Sequence, residues 1–144
     1  MDVETVLVPV DGSDESMAAA EYAVAVADAY DAAVHALYVF GEGVVRGLEV
    51  GDLEAQQVAA ESESFMTEMR ELTGDVALTH ATAPGFSLSR LSQHPGSVVL
   101  DAAADVDADF LVVPREQMTD ETDAVLERAA EYVIAHASQP VLSV

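Results

Sequence analysis

The chain has 144 residues, with 27 Asp and Glu against five Arg and no Lys, a formal net charge of −22. That balance repels nucleic acid and anionic membrane, so neither is expected as a partner. There is no cysteine, which excludes disulfides, thiolate metal sites and cysteine nucleophiles together.

Met1–Glu4 has no basic start and leads straight into a strand, so no signal peptide is expected; with the missing cysteines this fits a cytoplasmic protein. Val6, Leu7, Val8 and Val10 form a nearly unbroken apolar run, as in a parallel strand covered on both faces. The run stops at the turn pair Asp11-Gly12, and a helix from Ser16 to Tyr30 follows. Ser13 or Asp14 can cap it, while Asp14 and Glu15 complement its positive end. Ala19, Ala20, Ala23 and Ala27 give it a small face for close packing on a sheet, with Glu21 and Asp28 towards water. Ala33–Phe40 is the second strand. Gly41–Gly51 holds four glycines and reads as a mobile connection. Its Gly41-x-Gly43 is no dinucleotide fingerprint, because Arg46 stands where the third glycine belongs.

Leu53–Leu72 reads as the second helix, with Val58, Phe65, Met69 and Leu72 on one face and Gly74 ending it. Met66 and Met69 are read as core filler. Val76–Thr82 is the third strand and Pro84-Gly85 a turn; Phe86-Ser-Leu88 fits a short returning strand or a loop equally. Pro95 suits the first position of a third helix that runs to Val106. Asp109–Val113 is the fourth strand. Thr119 can cap the last helix, with Asp120 and Glu121 in its first turn. Val125, Ala129, Ala130, Val133 and Ile134 form its apolar side, and His136 sits near its negative end. Pro140–Val144 closes the chain as a fifth strand. The strict β-α-β-α-β-α-β-α-β order predicts one α/β domain over residues 1–144: an open parallel sheet of five strands with helices on both faces.

In such sheets ligands sit beyond the carboxyl ends of the strands, which draws attention to Asp11. Shaping the turn would explain it as well as touching a ligand. Other chemistry is sparse. No lysine means no Schiff base and no lysine contact to phosphate. His35, His80, His94 and His136 lie in four segments, none with a second histidine at metal-ligand spacing. No catalytic residue and no metal site is expected. Asp107/Asp109 and Asp120/Glu121 fit solvated charge or capping. A phosphate at the helix start after Ser13 is opposed by Asp14 and Glu15.

From Thr5 to Val144 the chain resembles the universal stress protein family. Val8-Pro-Val-Asp-Gly-Ser13 is similar to that family's first strand and turn, and Asp107-Ala-Asp-Phe-Leu-Val-Val113 to its fourth strand. Pro95 falls where the third helix of the family starts, and His136-Ala-Ser-Gln-Pro-Val-Leu-Ser-Val144 resembles its ending. The resemblance implies a flavodoxin-like sheet of order 3-2-1-4-5 and a dimer. In the nucleotide-binding branch, G-x2-G-x9-G-[ST] after the fourth strand completes the site. The matching positions here are Pro114, Gln117, Glu127 and Arg128, and none fits. Pro114 has no N–H, and Glu127 puts negative charge where a phosphate would approach. Pro9, Val10, Asp11 and Val39 remain of the cofactor-binding set, and they would contact only a base. Arg115 and Arg128 are the residues from which a substitute phosphate clamp could be built.

The chain therefore resembles the branch that does not bind ATP. The acidic, lysine-free composition is like that of proteins from salt-loving archaea. The expectation is a non-enzymatic stress-associated or regulatory protein with no cofactor. It would act as a homodimer through its C-terminal strand and through an unknown protein partner. The alternative is an ATP- or AMP-binding module with slow hydrolysis, or a small-ligand binder in the same crevice.

Overall fold

The computed structural model of the chain describes residues 2–40, 47–51, 54–84, 94–114 and 125–144. In chain order these form β1 (Thr5–Val10), α1 (Asp14–Tyr30), β2 (Ala33–Phe40), α2 (Ala55–Thr73), β3 (Leu78–Pro84), α3 (Pro95–Asp105), β4 (Phe110–Val113), α4 (Val125–His136) and β5 (Val141–Ser143). The five strands pair in parallel in the order β3-β2-β1-β4-β5. The expected α/β fold and strand order are therefore present, with β1 in the middle.

Alternation along the strands builds two cores. Val6, Val8 and Val10 of β1 face α1 and α2 together with Val34, Ala36 and Tyr38 of β2. Leu7, Leu37, Val39, Leu111 and Val113 face α3 and α4 on the other side. The small face of α1 lets it lie close to the sheet: Ala19, Ala20, Ala23 and Ala27 are fully buried. Ser13 is its N-cap, accepting from the Ser16 N–H. On α2, Val58, Phe65, Met66 and Met69 are buried and Leu72 is half-buried, so the apolar spacing was a true face.

The boundaries differ where local bonds take residues out of the elements. β3 starts at Leu78 rather than Val76, because the Val76 N–H closes a turn on the Thr73 carbonyl after Gly74. β4 starts at Phe110. Asp109 instead clamps the start of β1, its Oδ2 accepting from the Glu4 N–H (2.9 Å) and the Thr5 N–H (3.2 Å). α3 begins at Pro95 with His94 as its cap, Nδ1 accepting from the Gly96 N–H at 3.0 Å. At Gly96 a Cβ would stand 2.3 Å from the Tyr132 Cβ, so glycine is what lets α3 approach α4 there. On α4, Ala129, Ala130 and Val133 are buried, but Ile134 is 55 % exposed. The buried stripe runs about 100° round the helix from Ala129 through Val133 to Ala130, and Ile134 falls about 40° beyond its edge. The expected features at Gly41–Arg46, Gly85–Leu88 and Thr119–Glu121 lie outside the described residues, as does Leu53.

Candidate functional site

The end of β1 turns into α1 through a closed set of hydrogen bonds centred on Asp11. Its Oδ1 accepts from the Ser13 N–H (2.9 Å) and from the Ser13 hydroxyl. The Ser13 Oγ accepts in turn from the Ser16 N–H at 3.2 Å. The Asp11 N–H donates to the Ser16 Oγ (3.3 Å), and that hydroxyl donates to the Ser13 carbonyl (2.9 Å). Gly12 makes the turn possible with φ +87°, a conformation that costs other residues strain. Turn-shaping and ligand contact, the two explanations of Asp11, are thus compatible. The turn holds the carboxylate in one orientation at a half-exposed position.

The other expected ligand residues spread over both faces of the sheet. Pro9 pairs with Leu37 and Val10 with Tyr38. The Val10 side chain is buried towards α1 and α2, whereas Val39 is buried among the residues that face α3 and α4. Asp11 alone of the four is not buried. Pro114, directly after β4, is buried. Arg115 and Gln117 lie outside the described residues, as do the side chains of Glu127 and Arg128.

Tyr38 is not among the expected site residues, yet its side chain reaches the Asp11 turn from β2. Its hydroxyl donates to the Asp11 carbonyl at 3.3 Å. Its ring lies 5.8 Å from Phe65, edge-on, and 5.2 Å from Phe40. Burial pushes the Tyr38 hydroxyl above its ordinary pKa, and the carboxylates of Asp11 and Glu61 push it further. Only the β1–β2 register brings it there: Tyr38 sits opposite Val10, one residue before Asp11. Asp11, Gly12, Tyr38 and Phe65 line an open groove of about 340 Å³ between the β1 turn and α2, together with Glu61, Ser64 and Glu68. Three carboxylates around one groove repel a phosphate.

Three of the four histidines are occupied elsewhere. His35 is 6 % exposed, its Nδ1 within 2.7 Å of the Thr79 Oγ1. Burial, then repulsion from His80, holds its pKa below the ordinary histidine value. His94 caps α3 and stacks on Tyr132 at 4.5 Å, and His136 packs on the same ring at 4.4 Å. Among the described residues no three His, Asp or Glu converge where a metal ion could sit.

Comparison with known proteins places the chain in a family and its fold among solved structures. The sequence profile of the universal stress protein family matches residues 3–144. Universal stress protein MJ0531 of Methanocaldococcus jannaschii is 27 % identical over 142 residues, 96 % of this chain and 80 % of that protein. A universal stress protein solved in complex with cAMP covers 100 % of this chain and 98 % of its own, at 21 % identity and a TM-score of 0.69. The universal stress protein of Archaeoglobus fulgidus in complex with dAMP covers 99 % and 98 %, at 17 % identity and a TM-score of 0.65. At these identities the two structures establish the shared fold.

Proposed function

The chain belongs to the universal stress protein family, and from that membership we propose that it is a non-enzymatic regulatory member that does not bind ATP. It works as a cytoplasmic homodimer, through its C-terminal strand and through contacts with another protein. The observation that carries this reading is Pro114. It is buried directly after β4, where phosphate recognition asks for a row of free backbone N–H groups. Gln117 and Glu127 follow at the remaining glycine positions, and Asp14 and Glu15 stand in the first turn of α1. The acidic composition fits a protein adapted to molar salt.

A second reading is favoured by Asp11 and by the cAMP and dAMP complexes among the structural relatives. A carboxylate held by Ser13 can accept a hydrogen bond from the exocyclic amine of an adenine, with little weight on the phosphates. Calorimetry in molar salt separates the two. With Mg-ATP the expected result is no binding tighter than about millimolar, roughly 4 kcal/mol. Micromolar affinity lost in Arg115→Ala or Arg128→Ala would overturn the proposal, since an arginine clamp would have replaced the glycines. Micromolar AMP or cAMP binding that survives those changes and is lost in Asp11→Ala would establish the second reading.

A further inference from the structure

We propose that the outer edge of β3 receives an extended basic segment of a partner protein, which joins the sheet as a sixth strand. This rests on the reading of the protein as one that acts through protein contacts, and it gives that contact a surface. β3 lies at one end of the sheet, with β2 on its inner side. No described residue pairs with its outer side. On the inner side the Val34 N–H donates to the Ala77 carbonyl at 2.8 Å. Parallel pairing engages the main-chain groups of alternate residues. Thr79, Ala81 and Ala83 therefore bond to β2, and the N–H and C=O groups of Leu78, His80 and Thr82 point away from the sheet.

Edges of this kind are normally blunted by charge, proline or a covering segment. β3 runs for seven residues, Leu-Thr-His-Ala-Thr-Ala-Pro. It has no Asp, Glu, Lys or Arg in a chain that is 22 % charged, and its only proline is the last residue. Thr79, His80, Ala81 and Thr82 are exposed. The opposite edge strand, β5, has only three residues, all half-buried.

Charge selects the occupant. Above β3, α2 shows Glu61, Glu63, Glu68 and Glu71 to solvent, and Asp75 follows in the connection. Its one cation, Arg70, is paired with Glu63 at 2.9 Å. A second copy docked here would bring an equal acidic helix to the same edge. A segment with Lys or Arg at alternate positions meets the field with the opposite sign. Alternation puts those side chains on one face of the added strand, where they can lie towards α2, while its backbone completes the ladder.

The probe is an end-capped peptide of about nine alternating valines and arginines, long enough for one strand. Added to the full chain, it should slow hydrogen exchange at the His80 and Thr82 amides, with no comparable change in β5. The same peptide N-methylated along both edges keeps its charge but loses its main-chain donors, and should bind roughly tenfold more weakly or worse. His80→Pro, which removes one outward N–H, should weaken the unmodified peptide similarly; if that variant does not fold, the N-methylated peptide carries the test. Equal binding of both peptides would overturn the proposal in favour of plain charge attraction. Protection at His80 and Thr82 that rises with protein concentration alone would overturn it in favour of a second copy. Micromolar ATP binding would refute the parent reading and leave the exchange result standing by itself.

Discussion

Gly12 and His35 show how much one residue can decide. At Gly12 a Cβ would meet the Tyr38 hydroxyl at 2.7 Å, in a backbone with φ +87°. Gly12→Ala thus adds a left-handed strain to a clash, and it displaces the hydroxyl that holds the Asp11 carbonyl. A loss of about 1–3 kcal/mol is expected in denaturant unfolding; an unchanged midpoint would mean that the turn relaxes freely. His35 makes stability depend on pH. Its folded pKa lies below the ordinary 6.5, first through burial and then through His80. The unfolded chain therefore takes up the proton more readily than the folded one, so acid favours unfolding. The neutral histidine contributes fully above 6.5, and that contribution erodes as pH falls from there towards the folded value. His35→Asn, which can still bond to Thr79 but does not titrate, should show a flatter fall of the melting temperature between about pH 7.5 and 5.5. Parallel curves for the two proteins would remove His35 as the cause.

At the scale of elements, strands and helices were legible wherever one periodicity ran unopposed. The valine run of β1, the alanine face of α1 and the heptad-like spacing on α2 all became buried surfaces. The failures have local causes. Step counting puts Ile134 on the apolar side of α4, but the buried stripe is only wide enough for Ala129, Ala130 and Val133. His94 gave no helix signal because histidine is an uncommon cap, and its role depends on one ring nitrogen accepting from Gly96. For the candidate site, Asp11 was legible from its place after a buried strand. Tyr38 was not, because only the β1–β2 register brings it beside the turn. The same register logic bears on assembly. β5 pairs with β4 on one side, and its other edge ends the sheet. If that edge forms the dimer, Val141→Glu with Ser143→Glu should give a monomer by light scattering while the melting transition persists. A dimer that survives both charges would place the interface on another surface.

The whole molecule has to hold 27 carboxylates together with five guanidinium groups. The ion pair found among the described residues offsets little of this. Arg70 and Glu63 pair at 2.9 Å, but their side chains are 48 % and 59 % exposed, and exposed pairs contribute about 0–1 kcal/mol. Folding compresses the remaining acids into a smaller volume, so repulsion weighs more on the native state than on the unfolded chain. Screening reverses that penalty: the Debye length shortens from about 10 Å at 0.1 M to about 3 Å at 1 M. Burial of β1 and its neighbours is far less sensitive to this screening, so the salt response isolates the electrostatic part. Thermal unfolding should move upward by on the order of 10 °C between tens of millimolar and molar potassium chloride, a few kcal/mol for a domain of this size. Salts that also strengthen apolar burial, such as sulfate, should add to the shift, whereas an uncharged osmolyte at matched water activity should reproduce only that second part. If the osmolyte gives the whole effect, or if chloride gives none, repulsion among the carboxylates does not limit this fold.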